Sequence, residues 1–374
     1  FMHYFWDKKD KIIKKIQNRF DNIKLSGFQK LDGIIDKKSR SKVYQEIEKA
    51  DNNLDGIIVF GGFLDKELTD FELPVIFVRA VMGAGDWQKG VANFYQDEKV
   101  LTSTLNEVDN KESNIETSFQ DLFDKINLIK ALKQIKQTKL ICIQEKEIFG
   151  NYDVFGMDYH FPLPYNYNQV YKKNLEKLGI NIEHIKMSSL VKDLKRINEN
   201  KIIKIANRWI NNSRKVNQET DRSEIEKAAR MYLAIKGLMD ANNAQGVIIR
   251  SLVPWTEGLI DVTPCLANTE LNRQLKVGVC EGLVNNAIGE LLGLKFAGKP
   301  SFIGDVVGID TINNIVTFAH CQSPINPHGN KTVPYDIRSH ALQKKNRMLP
   351  DYYPEIGKSR SAAVKVGLPI NETV

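Results

Sequence analysis

Several features are absent from this sequence, and each absence removes a class of function. No stretch of the 374 residues approaches the roughly 20 uninterrupted apolar positions that a membrane span requires, so no membrane partner is expected. The N-terminus lacks the charged-then-apolar order of a secretory signal, and the cytoplasm is the expected location. Cysteine is scarce and scattered: Cys142, Cys265, Cys280 and Cys321 form no C-x-x-C pair and no zinc-finger spacing. Reduced thiols, in the core or lining a site, are therefore expected. There is no P-loop, no G-x-S-x-G elbow and no H-E-x-x-H, which leaves nucleotide hydrolysis and serine hydrolysis unsupported. The formal charge is +7, yet the lysines interleave with acids, as in KDLKRINENKIIK at 192–204. Diffuse charge of this kind marks a solvated surface rather than a nucleic-acid partner.

The residues that are present are those of a globular protein, 42% apolar and 26% charged, and too long for one ordinary core. Residues 8–50 are Lys-rich with helical spacing, placing Ile12, Ile13, Ile16 and Phe20 on one face. DGIIVFGGF at 55–63 and ELPVIFVRAVMGAGDW at 72–87 read as buried strands closed by glycine. A helix over 115–136 and a new strand, TKLICIQ, at 138–144 put the first boundary near 136. The rhythm then repeats: a helix near 167–178, the strand INIEHI, helices from Ser189 to about 215, a helix opened by Thr220-Asp221 with Glu224 in its first turn, and the strand GVIIRSL at 246–252. Strands alternating with helices predict α/β architecture, here two successive Rossmann-like domains with mainly parallel sheets. Beyond Pro300 helical spacing fades, and two short strands joined at Asn313-Asn314 suggest an all-β domain that is incomplete. The expected units are 1–136, 137–299 and 300–374.

Three stretches could carry chemistry. Gly83-Ala84-Gly85-Asp86-Trp87 follows a strand, but its third glycine, Gly90, falls one place late for a dinucleotide fingerprint. A dehydrogenase reading rests on that loop alone; a sharp turn whose Trp87 lines a sugar site is the alternative. In CEGLVNNAIGELLGLKFAGKPSFIGD, Leu283, Val284, Ala287, Ile288, Leu291 and Leu292 form one helical stripe ending at Gly293 or Gly298. Glu281 then stands at a helix N-terminus and Asp305 after a strand-like run. Each acid has an ordinary explanation, a helix-dipole partner for the first and a turn residue for the second. Converging, they could instead hold a hard divalent ion. His320, closing the strand TFAHC, is either a core imidazole or a hydrogen-bond partner of a substrate.

The order W-T-E near 255, C-E-G, an apolar helix, A-G-K-P-S-F-I-G-D and a strand ending A-H-C resembles the L-fucose isomerase superfamily. The resemblance runs best over about 220–345 and is specific in the Glu281-to-Asp305 block. It implies an aldose–ketose isomerase of the fucose/arabinose type, dependent on Mn²⁺ (or Mg²⁺ or Co²⁺), acting on a deoxy-aldose or pentose. It further implies a C-terminal barrel-like β domain and a homo-oligomer with sites shared between subunits. Glu281 and Asp305 would be metal ligands and would also move the proton between C1 and C2; Trp87, Trp255, Glu257 and His320 are the expected substrate contacts. Two positions depart from the family. Leu283 stands where another acid is common, and none of the six histidines matches the context of the family's C-terminal histidine ligand. The expectation is a fragment of a longer isomerase, or a short member that keeps sugar binding without catalysis.

Overall fold

A computed structural model of the chain describes residues 9–21, 23–25, 37–50, 53–60, 71, 73–80, 100–105, 112–145, 153–154, 157–158, 173, 175–340 and 361–368. The fold is mixed α/β with parallel sheets, and the chain divides into two compact units, 1–133 and 134–374.

In the first unit, β1 (Ile57–Phe60), β2 (Val75–Ala80) and β3 (Val100–Leu105) form a parallel sheet in the order β1-β2-β3. The run Val75-Ile76-Phe77-Val78 is continuously apolar because both faces of β2 are covered. Ile76 and Val78 pack with Ile12 and Ile16 of α1 (Lys9–Arg19) and with Phe119, Leu122 and Ile126 of α3 (Glu112–Lys136). Val75 and Phe77, pointing the other way, meet Tyr44 and Ile47 of α2 (Lys37–Ala50). The glycine loop at 83–90 and Trp87 lie outside the described residues.

The second unit is built on a parallel sheet, β10 (Val277–Val279), β9 (Gly246–Ile249), β4 (Lys139–Ile143) and β7 (Asn181–Ile185), in the spatial order β10-β9-β4-β7. Alternation divides its two central strands between two cores. Ile141, Ile143, Val247 and Ile249 face a large cluster with α4 (Met187–Leu194), α5 (Glu199–Asn212), α6 (Arg222–Ala241) and α8 (Cys265–Arg273), α7 (Leu252–Thr256) adding Trp255. Leu140, Cys142 and Ile248 face α9 (Val284–Leu292), through Val284, Ala287 and Leu291. Chain order steps from β4 out to β7 on one side and to β9 and β10 on the other. The carboxyl ends of β4 and β9 therefore flank a topological switch point, where open α/β sheets place ligands.

A short hairpin of β5 (Asp153–Val154) and β6 (Met157–Asp158) stands apart from this sheet. A mixed sheet runs β14 (Ala362–Val366), β13 (Tyr335–Ser339), β8 (Lys215–Val216), with β13 antiparallel to β14 and parallel to β8. Its Tyr335, Ile337, Ala362 and Val364 belong to the large cluster. Helix α6 opens at Asp221, its N-cap, with Glu224 in the first turn as expected; Asp221 makes no side-chain cap bond, and Glu224 is buried and accepts the Ser361 N–H at 2.9 Å. Finally, β11 (Asp305–Asp310) and β12 (Ile315–Ala319) form an antiparallel hairpin with a bulge between Val306 and Gly308. Asp310 accepts the N–H groups of Ile312 and Asn313 at its tip, at 2.9 and 3.1 Å, and Asn314 adopts φ 55°. Val306, Val307, Ile309, Ile315, Val316 and Phe318 are all exposed on it.

Candidate functional site

Cys280 and Glu281 leave the carboxyl end of β10, and the backbone there turns sharply. Glu281 has φ 69° and Gly282 φ 72°, two left-handed residues in succession. Glycine is required at 282: a Cβ there would stand 3.0 Å from the Cβ of Arg250, while its N–H donates to Ile249 at the end of β9 at 3.0 Å. A glutamate in this region costs on the order of 1–2 kcal/mol. Non-glycine residues in such conformations concentrate at ligand sites.

The helix-start reading of Glu281 needs correction on this point. Helix α9 begins at Val284 with Leu283 as its N-cap, so Glu281 lies outside the first turn and does not serve as a dipole partner. The helix is not closed by Gly293 either; it passes into a π-helical turn over Gly293–Ala297 and ends at Gly298, φ 66°. What anchors α9 is Glu290, a fully buried acid that accepts the Gly278 N–H at 3.1 Å and is bonded by the Asn272 amide. Burial holds its carboxyl well above the usual range. That link fixes β10 to α9, and with them the ends of the Cys280–Leu283 turn.

Asp305 is brought into electrostatic range by the hairpin. It pairs with Ala319, so the register sets it beside the strand end from which His320 follows. Although the residue is exposed, partial desolvation first and the charge of Glu281 second raise its carboxyl, while His320 draws it back. The His320 side chain is 6% exposed and that of Glu281 24%, with Nε2 3.9 Å from the Glu281 carboxylate. At that distance the contact is electrostatic rather than a hydrogen bond. Nδ1 of His320 lies 3.2 Å from the Gln322 carbonyl oxygen and Nε2 lies 3.4 Å from the Cys280 thiol. Burial alone would lower the imidazole; Glu281, Cys265 and Asp305 outweigh it and lift its pKa to about 9. The ligand atoms of Cys280, Glu281 and His320 all lie within 4.8 Å of one another.

The donors that converge are therefore one carboxylate, one imidazole and one thiol, and Asp305 is linked to them through charge; a carboxylate and an imidazole are ligand types that a divalent ion such as Mn²⁺ accepts. Trp255 is 2% exposed, with its ring 5.2 Å from that of His340 and its indole N–H without a hydrogen-bond partner, so its faces are covered by protein. Glu257 is exposed at the C-terminal end of α7.

Reduced thiols in the core or lining a site were expected from the sequence, but their convergence was not. Cys265 and Cys321 approach with sulfurs 3.5 Å apart, and Cys321 lies 3.0 Å from His340 Nε2, both cysteines being thiols. Hydrogen bonds from Cys280 and then Cys321 pull Cys265 well below the ordinary thiol range against its burial. The available signal was adjacency: Cys280 precedes Glu281, and Cys321 follows His320. No protein-family model matches the chain, and no curated protein matches it.

Proposed function

We propose that this chain is a metal-dependent aldose–ketose isomerase of the fucose/arabinose isomerase type, turning over a deoxy-aldose or pentose in the cytoplasm by an ene-diol route. The observation that carries this reading is Glu281, held at φ 69° at a strand end with its carboxylate beside His320 and electrostatically coupled to Asp305. Glu281, Asp305 and His320 would hold Mn²⁺ (or Mg²⁺ or Co²⁺), which supplies Lewis-acid polarisation of the sugar's carbonyl and hydroxyl oxygens.

The side chains do the rest. Asp305, whose carboxyl is raised by burial and by the charge of Glu281, serves as the base. It takes the proton from C2 of the open-chain aldose and returns it to C1. Glu281 carries the hydroxyl proton between O2 and O1, and the strained backbone fixes its direction of approach. His320, with Nδ1 3.2 Å from the Gln322 carbonyl oxygen, stands beside the Glu281 carboxylate and balances its charge.

The finer architecture goes with the same reading: two Rossmann-like domains, a C-terminal β domain, and subunits that share sites. The exposed apolar residues of the hairpin that carries Asp305 support such assembly. The test is proton exchange. With Mn²⁺ present, solvent deuterium is followed into C2 of a panel of aldoses by NMR, for the parent and for Glu281→Gln. Exchange in the parent that falls roughly 10²–10⁴-fold in the variant is expected. No exchange with any sugar, or equal exchange in both proteins, overturns the proposal.

A further inference from the structure

Cys265, Cys321 and His340 take no part in the proton transfers above, yet they converge. Cys265 opens α8, Cys321 lies just past β12 and His340 just past β13, so three separate elements deliver one donor atom each. Those three atoms lie within 4.8 Å of one another in the interior. A buried thiol acting only as a small apolar group needs no such company. Here the Thr263 hydroxyl donates to the Cys265 sulfur at 3.3 Å, and the residue occupies the first turn of a nine-residue helix, where the peptide dipoles favour thiolate.

The distances separate two uses of such a pair. Tetrahedral zinc, with sulfur at about 2.3 Å and nitrogen at about 2.0 Å, sets neighbouring sulfurs about 3.8 Å apart and sulfur and nitrogen about 3.5 Å apart. The observed 3.5 Å and 3.0 Å reach those values by opening a few tenths of an ångström. A disulfide requires instead that the sulfurs close to about 2.05 Å, a larger movement in the opposite sense.

We infer that Cys265, Cys321 and His340 form a binding site for a soft divalent cation of the zinc class, separate from the oxygen-rich site at Glu281 and Asp305. These three donors leave the fourth tetrahedral position to a further ligand. The donor chemistry keeps the two sites distinct: thiolates and imidazole select zinc or cobalt, whereas carboxylates accept manganese or magnesium. Cys321 is the chain neighbour of His320, so an ion held there would clamp the backbone beneath that imidazole.

The test uses the full chain, stripped with a chelator and titrated with Co²⁺ alone. A near-ultraviolet thiolate-to-cobalt charge-transfer band is expected, saturating at one ion per chain, displaced by Zn²⁺ and not by Mn²⁺. Cys265→Ser and Cys321→Ser lose at least nine tenths of the band, while Glu281→Gln keeps it whether or not the isomerase reading holds. A band absent from the parent, or lost in Glu281→Gln and kept in both cysteine variants, overturns the inference. Should the serine variants fail to fold, X-ray absorption of the zinc-loaded parent decides: sulfur scatterers at about 2.3 Å support the site, and only nitrogen and oxygen scatterers overturn it.

Discussion

Glu270 and Glu281 lie eleven positions apart in the same unit and are treated in opposite ways by the fold. Glu270, 2% exposed on α8, receives Arg208 at 2.8 Å, Arg273 at 2.7 and 2.9 Å, Trp209 Nε1 at 3.1 Å and Gln274 at 2.8 Å. Burial would raise its carboxyl, but Arg273 and then Arg208 and Trp209 hold it below the usual range. Glu281 is part-exposed, strained in its backbone, and meets His320 only electrostatically at 3.9 Å. The first is a closed account of donors and acceptors on relaxed backbone. The second keeps its carboxylate part-exposed, as the proposed site for an ion and a substrate requires.

The comparison can be broken at either residue. The largest effect falls on Glu270: Glu270→Ala takes the acceptor from Trp209 Nε1, which is buried, and from Arg208 and Arg273, which are part-exposed, and lowers stability by about 1–3 kcal/mol in urea unfolding at neutral pH. Because the folded-state pKa of Glu270 is depressed, its contribution is present above the unfolded value of about 4.3 and is lost as pH falls through the folded one. The gap between parent and variant therefore narrows on acidification. Glu281→Gln acts on a neighbour instead. In the metal-free protein the His320 pKa drops from about 9 toward the ordinary 6.5, followed by NMR of the ring carbons. A raised imidazole stabilises the fold below its unfolded pKa of about 6.5, and that contribution is lost as pH rises through about 9, so the parent loses more stability than the variant across this window.

Smaller effects sharpen the contrast further. Glu281→Gly relieves the left-handed strain and leaves stability equal or raised by up to about 1 kcal/mol, with exchange abolished. A clear loss of stability in thermal melts would make Glu281 a structural residue like Glu270. Phe318→Asp, on the exposed hairpin, changes the stability of the chain by no more than about 0.5 kcal/mol. It shifts the assembly toward smaller species in light scattering if the hairpin is an interface.

The central strands were legible because nothing competed with the pattern. VIFV and GVII are β-branched runs bounded by proline, glycine or charge, and burial on both faces explains why they do not alternate. The hairpin was legible from Asn313-Asn314, and Asn314 does take the left-handed conformation that turn demands. The site was legible only in part. Glu281 and Asp305 stood out as a block through resemblance, but His320 joins them through a strand register, Asp305 opposite Ala319, that no local spacing encodes. Cys265 and Cys321 are 56 positions apart, and their scatter hid a convergence created by the packing of α8 against two strand ends. Local rules describe elements; meetings between the ends of elements belong to topology.

The bulge between Val306 and Gly308 governs how this protein can vary. A plain antiparallel ladder can slip, and a slip of one residue turns every side chain to the other face. With one extra residue lodged near Val307, the pairing of Asp305 with Ala319 is the register that accommodates it. The bulge works as a detent. Residues from Ile309 to Val316 can be exchanged, and the tip lengthened or cut, while the acid stays in register with the strand end beside the imidazole. A single deletion at Val307 would straighten the ladder, leaving Asp305 opposite Ala319 but removing the bend that the bulge imposes on the strand.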